Sequence, residues 1–242
     1  MKSTHKNVFQ SCIKLLRENE TDVEFLKRRS MKVEIWSDVM CPFCYIGKRK
    51  FENALAKFDQ KDKVEVTWKS FQLNPEMKTE PGKNINQYLA EAKGWSLDEA
   101  KAMNNRVTGM AKEVGLNYDF DKAVVANSFD AHRFVQLAKK EGKGDAAEER
   151  LFKAYFTEGK NIADHNTLST LASEIGMDGK EVETMLSGNE NTEAVLADVK
   201  EAEQIGVRGV PFFVIDRKYA ISGAQPEETF LKALNQALDE SF

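Results

Sequence analysis

The sequence predicts an α/β fold whose strands fall into an early and a late group, with an all-helical insertion between them. Three observations carry this. Residues 33–39 and 64–68 alternate side chains at the two-residue period of a strand, on either side of a helical stripe. Near the C-terminus the run Phe212-Phe213-Val214-Ile215 is continuously apolar, as a strand covered on both faces would be, and Tyr219-Ala220-Ile221 follows after a turn-length gap. Between these groups, from Asn74 to about Asn189, the strand signal vanishes and helical spacing repeats.

In chain order, residues 1–30 form an extension in which Val8, Phe9, Cys12, Ile13 and Leu16 make one helical stripe. Cys12 reads there as a small apolar side chain on a packing face. In the first strand Val33, Ile35, Ser37 and Val39 share one side. A helix is expected from Cys41 to about Phe58, turning Cys44, Lys48, Phe51, Leu55 and Phe58 inward, and Val64, Val66 and Trp68 mark the next strand. Strand, helix, strand implies a right-handed parallel crossover. In the insertion, Ser96 with Glu99 forms a capping box ahead of Leu97, Ala100, Met103, Val107 and Met110 at helical spacing. Further helices are expected at 127–140, 146–158, 167–175 and 180–186. A helix at 192–205 returns the chain to the two late strands, and a last helix starts near Pro226 and buries Phe230, Leu231, Leu234 and Leu238. The predicted organisation is an extension at 1–30, a discontinuous core domain at 31–73 and 190–242, and an insertion domain at 74–189.

Composition narrows the function. The 242 residues carry 35 Lys and Arg against 39 Asp and Glu, a net charge of −4, and the pI is near 5.6. This balance argues against a nucleic-acid surface, and no basic run suggests a membrane surface. No stretch of eighteen apolar residues suggests a spanning helix, and the first twenty residues lack an apolar core of signal-peptide type, so a cytoplasmic location is expected. With only three cysteines, a structural disulfide framework is not expected.

Chemistry concentrates in Ser37-Asp38-Val39-Met40-Cys41-Pro42-Phe43-Cys44. Two cysteines two residues apart at a helix start can form a redox pair. Cys41 stands where the helix has unsatisfied N–H groups and favours negative charge, which suits the thiolate nucleophile of disulfide exchange. Pro42 suits the first helical turn, where its missing N–H has no partner to lose. The expected arrangement is one exposed sulfur, Cys41, and one shielded sulfur, Cys44. A zinc site is disfavoured, because the pair has no second pair of ligands and His5, His132 and His165 are not at paired spacings.

Three segments, SDVMCPFCYIG at 37–47, NSFDAHR at 127–133 and GVRGVPFFVI at 206–215, resemble the DsbA-like group of thioredoxin-fold proteins. The resemblance is strongest to its FrnE branch, related to 2-hydroxychromene-2-carboxylate isomerases and kappa-class glutathione transferases, and covers the chain from about Met31 onward. It implies a thioredoxin fold with the insertion between its two halves and thiol–disulfide exchange at Cys41 and Cys44. It also implies a cis bond at Val210-Pro211 beside Cys41, and substrate contacts from Pro42, Phe43, Val210, Pro211 and His132. No cofactor is implied. Protein or small-molecule thiols and disulfides are the expected partners, with glutathione as a candidate redox partner, in a monomer or homodimer.

Other readings stay open. A glutathione-dependent isomerase or transferase is one, although those relatives generally have Ser where this chain has Cys41. A non-catalytic chaperone-like binding module is another. The chain departs from thioredoxin and DsbA at Ile35, where they place a buried acid. Asp38 is the nearest acidic residue, either a proton acceptor for Cys44 or the carboxylate that caps the helix at Cys41. His132 either lines the cleft between the two domains or is a satisfied structural histidine.

Overall fold

The computed structural model describes residues 30–239, so the expectations for Cys12 and His5 lie outside the described residues. Strand β1 (Met31–Ser37) leads through a short turn into helix α1 (Pro42–Ala56), and β2 (Val64–Ser70) returns parallel to β1. Late in the chain β5 (Phe212–Ile215) pairs antiparallel with β1, and β6 (Tyr219–Ser222) pairs antiparallel with β5. The sheet order is β2-β1-β5-β6. Helix α9 (Glu227–Asp239) packs against α1 on one face of this sheet, with Phe51, Phe213 and Phe230 meeting in tilted and edge-on ring contacts. Helix α8 (Thr192–Gln204) covers the other face, burying Ala202 against Trp36, whose indole N–H donates to the Asp198 carbonyl across 3.0 Å. This is the predicted α/β arrangement, with both faces of β1 and β5 covered.

The insertion holds α2 (Ile85–Lys93), α3 (Leu97–Glu113), α4 (Phe129–Lys140), α5 (Gly144–Phe156), α6 (His165–Glu174) and α7 (Gly179–Ser187). The Ser96–Glu99 capping box is present. Two features depart from the predicted elements. First, β3 (Glu80–Asn84) and β4 (Val124–Val125) form a two-stranded antiparallel ribbon. With Pro81 and Gly82 inside it, β3 has no strand-like alternation, and its register with β4 is irregular, so pairing arises only when the folded insertion brings the two segments together. Second, α2 is a helix that the apolar pattern did not single out, opened by an Asn84–Gln87 capping box.

The insertion is tied to the sheet domain by charge as well as by packing. Lys48, one turn after Cys44 on α1, is buried, contacts Glu52, and lies 3.3 Å from both Asp145 and Glu149 of α5. Tyr45 donates to Glu149 across 2.6 Å, and the Trp68 indole of β2 donates to Asp145 across 2.9 Å. Tyr45 and Phe152 stack at 4.8 Å between ring centres. Together these contacts place α5 directly behind the Cys41–Cys44 turn.

Candidate active site

Cys41 is the N-cap of α1, with extended backbone and Pro42 in the first turn, so the helix N–H groups begin at the motif. Its thiol donates to the backbone carbonyl of Val210 across 3.5 Å, and the Val210–Pro211 bond is cis. The Pro211 ring also abuts α1: a Cβ on Gly47 would stand 2.9 Å from Pro211 Cγ. Gly47 therefore lets the helix carrying the cysteines approach the turn before β5.

Both sulfurs are shielded. Cys44 is buried as expected, but Cys41 is only 3 % exposed, which corrects the expectation of one open sulfur. The turn at Val210 lies over it, and Tyr118, on the chain between α3 and β4, approaches from the insertion and donates to the Pro42 carbonyl across 2.7 Å. Burial, and then the nearby Cys41, push the Tyr118 hydroxyl well above its ordinary pKa. Phe43, between the cysteines, is 39 % exposed and Leu73 is 52 % exposed, so the surface around the motif is apolar. Beside it, between the sheet domain and the insertion, lies a cavity of about 510 Å³ lined by Met40, Pro42, Leu73, Met77, Ile85 and Leu89 among others.

The Cys44 thiol is raised well above its ordinary pKa, first by burial and then by the neighbouring Cys41 sulfur. The Asp38 backbone N–H and the nearby Ser37 hydroxyl act in the opposite direction. The two cysteines thus occupy different environments on the same helix.

Asp38 does not cap α1, because the backbone N–H groups it accepts from belong to other segments. Its carboxylate instead accepts from Met40 N at 3.2 Å and Leu73 N at 2.8 Å, tying the β1–α1 turn to the segment that follows β2. His132 is wholly buried rather than facing an open cleft, and its Nε2 stands 3.6 Å from Asp38 Oδ1, within ion-pair distance. The rest of the NSFDAHR segment is structural. Asn127 donates to the Pro75 and Met77 carbonyls, and Arg133 donates to carbonyls at the C-terminal end of α7 and just beyond, including Met185 at 2.7 Å and Glu190 at 2.9 Å. Among the described residues no group of His, Cys, Asp and Glu has the arrangement to hold a metal ion.

Sequence reasoning missed Tyr118 and Glu148. Tyr118 has no periodic signal around it. Glu148 did leave one, because it stands at helical spacing with the buried Phe152 and Tyr155, an acid in a core position.

Residues 32–235 match the model of the DSBA-like thioredoxin domain family. The chain belongs to the DsbA-like thioredoxin family. A solved chain from Streptomyces coelicolor, described as a probable DsbA oxidoreductase, is 39 % identical with a TM-score of 0.82, over 87 % of this chain and 91 % of that one. The Bacillus subtilis protein YwbO, itself described as uncharacterized, is 29 % identical over 208 residues, 85 % of this chain and 96 % of its own length. The cytosolic disulfide reductase DsbM from Pseudomonas aeruginosa, solved with GSH, shares the fold at a TM-score of 0.62 and 17 % identity, over 86 % of this chain and 99 % of that one. No helix among the described residues is long and apolar enough to cross a membrane.

Proposed function

We propose that this DsbA-like protein is a cytoplasmic thiol–disulfide oxidoreductase in which Cys41 exchanges with substrate and Cys44 resolves the mixed disulfide. The observation that carries this reading is the Cys41 sulfur at the start of α1, 3.5 Å from the Val210 carbonyl, with the high-pKa Cys44 thiol behind it. A helix start supports thiolate at the attacking sulfur. A buried, protonated partner stays silent until a mixed disulfide forms next to it.

Substrate enters over Phe43 and Leu73, and the Val210 backbone lies alongside the reacting sulfur, where it can pair with an extended segment. The cavity lined by Met40, Pro42 and Ile85 suits an apolar group next to the substrate's sulfur. Glutathione is the redox partner we propose, a choice supported by the GSH bound in the DsbM relative of the same fold. Possession of both thiols favours disulfide exchange over glutathione-dependent isomerisation.

The test is trapping. Cys44→Ser protein exposed to glutathione disulfide should accumulate one glutathione on Cys41, and Cys41→Ser should accumulate little on Cys44. Wild-type protein should pass through that adduct to the Cys41–Cys44 disulfide. Glutathionylation of Cys44 in preference to Cys41 would reverse the roles. Activity that survives loss of both cysteines would indicate a chaperone-like binder instead.

A further inference from the structure

The cavity of about 510 Å³ between the sheet domain and the insertion is walled mainly by apolar side chains, and Met40 and Pro42, the neighbours of Cys41 in sequence, belong to that wall. Its size is that of a small-molecule site. Asp38, Asn104, Ser128 and Tyr155 also line it with buried polar groups. Two of these are committed to the protein. The Asp38 carboxylate accepts from Met40 N and Leu73 N, and Asn104 donates to Asn86 across 2.7 Å.

The other two are not. Ser128 is 3 % exposed and stands at the N-cap of α4, where a serine ordinarily accepts from first-turn N–H groups. Here it makes no side-chain cap hydrogen bond, and Asn127 accepts from Phe129 N across 2.8 Å instead. Tyr155, on α5, is 1 % exposed; burial, and then the Asp38 carboxylate, hold its hydroxyl well above its ordinary pKa, so it stays a neutral donor. Among the described residues neither hydroxyl has a hydrogen-bond partner, and both side chains border the cavity. Buried hydroxyls are normally paired, so two unpaired ones on one apolar cavity call for an oxygen acceptor brought by a ligand. A neutral oxygen suits the place, because the Asp38 carboxylate on the same wall opposes an anion.

We infer that this cavity binds the apolar half of a small organic disulfide, and that Tyr155 and Ser128 select one carrying a neutral oxygen acceptor such as a carbonyl. The inference rests on the proposed exchange at Cys41 and Cys44 and names its substrate class, a mixed disulfide of glutathione with an apolar, carbonyl-bearing thiol. Enclosure favours such a substrate over a folded protein, since Cys41 is buried and Tyr118 of the insertion donates to the Pro42 carbonyl. The Cys41 thiolate attacks the sulfur of the apolar half, the bond to the glutathione sulfur breaks, and glutathione leaves as its thiolate. The Cys44 sulfur, its proton released to solvent, then attacks Cys41 Sγ. The Cys41–Cys44 bond forms and the apolar thiol leaves as thiolate. Two glutathione molecules reduce this disulfide in turn, giving glutathione disulfide and restoring both thiols.

The test uses two near-isosteric probes, the mixed disulfides of glutathione with para-acetylbenzyl thiol and with para-isopropylbenzyl thiol. Both are assayed on full-length protein with reduced glutathione, after subtraction of the uncatalysed rate. The ratio of kcat/KM between the acetyl and isopropyl probes should fall about tenfold when Tyr155→Phe and Ser128→Ala are combined, with the change in KM. Leu89→Trp, which fills the cavity, should slow both probes on the order of tenfold more than it slows exchange with glutathione disulfide. In Cys44→Ser protein carrying the acetyl thiol on Cys41, the ketone stretch should lie below its position in apolar solvent, and the double variant should return it. An unchanged ratio in the double variant, or a ketone band that ignores the two hydroxyls, overturns the assignment. So does Leu89→Trp slowing all three substrates equally, or an unfolded protein disulfide that turns over faster than either probe. A parent that takes glutathione from glutathione disulfide onto Cys41 but ignores both probes overturns this inference alone. One that never takes glutathione overturns the exchange reading as well.

Discussion

The Cys41 thiol and the Val210 carbonyl meet at 3.5 Å, joining the end of the first strand to the turn that precedes the third strand of the sheet. Neither segment forms the site alone. The first supplies the sulfur and the helix start, and the second supplies backbone alongside it. Contact between them depends on how closely α1 can approach Pro211.

Gly47 sets that approach, which yields the first prediction. In an ordinary helix Gly→Ala gains roughly 1 kcal/mol, but here the added methyl would stand 2.9 Å from Pro211 Cγ and 3.5 Å from Phe213 Cζ. Overpacking of this kind costs roughly 1–3 kcal/mol. Gly47→Ala should therefore be neutral to destabilising and should slow glutathione exchange at Cys41. Thermal melts and exchange rates check it; a raised melting temperature with unchanged exchange would show that the close approach is unimportant.

Lys48 offers a second test, of how α1 is held to the insertion. Its buried side chain passes 5.9 Å from the centre of the Trp68 ring before reaching Glu52, Asp145 and Glu149. These acids are 32–63 % exposed, so losing the cation leaves no fully buried charge unpaired. Lys48→Met should cost only ~1 kcal/mol, whereas Lys48→Ala, which also removes the stem, should cost ~3 kcal/mol. Urea denaturation separates the two. Equal losses would mean that charge, not the stem, does the holding.

Stability should also depend on pH through Glu148. Its ordinary value is 4.5 and its folded value about 7, so between these the folded protein binds a proton that the unfolded chain has released. Stability contributed below this window is lost as pH rises through it, by up to ~3 kcal/mol at ~1.4 kcal/mol per pH unit. His132, also raised on folding, acts in the same direction. Parent protein should thus lose stability from about pH 4.5 to 7, and Glu148→Gln should flatten the part due to Glu148. Identical slopes in the two proteins would contradict the buried acid.

The core fold was legible because its signals are local. Alternation at Val33, Ile35 and Ser37, the apolar run at Phe212 to Ile215 and the Ser96–Glu99 box each report their own element. The β3–β4 ribbon was not legible, because Glu80 to Asn84 becomes a strand only through Val124 and Val125, some forty residues away. At the site, the cysteines and the Val210-Pro211 turn could be located from motifs. The burial of Cys41 could not, since it depends on Tyr118 and Val210 arriving from distant segments. Asp38 and His132 were marked as candidates, but their approach at 3.6 Å joins two distant segments, which no spacing within one helix reveals.

The central claim is that Cys41 and Cys44 form a reversible dithiol–disulfide couple. Phe43 has no side-chain donor to stabilise a thiolate, unlike the histidine of a Cys-Pro-His-Cys motif, so the couple should be less oxidising than DsbA. The most direct measurement is an equilibrium titration against glutathione, with Cys12→Ala in the background and mass mapping at each point. The account predicts one reversible two-electron transition, a disulfide between Cys41 and Cys44, and a potential between roughly −270 mV, as for thioredoxin, and −120 mV, as for DsbA. A pair that stays reduced at every glutathione ratio, or that carries glutathione without ever closing on itself, would contradict it.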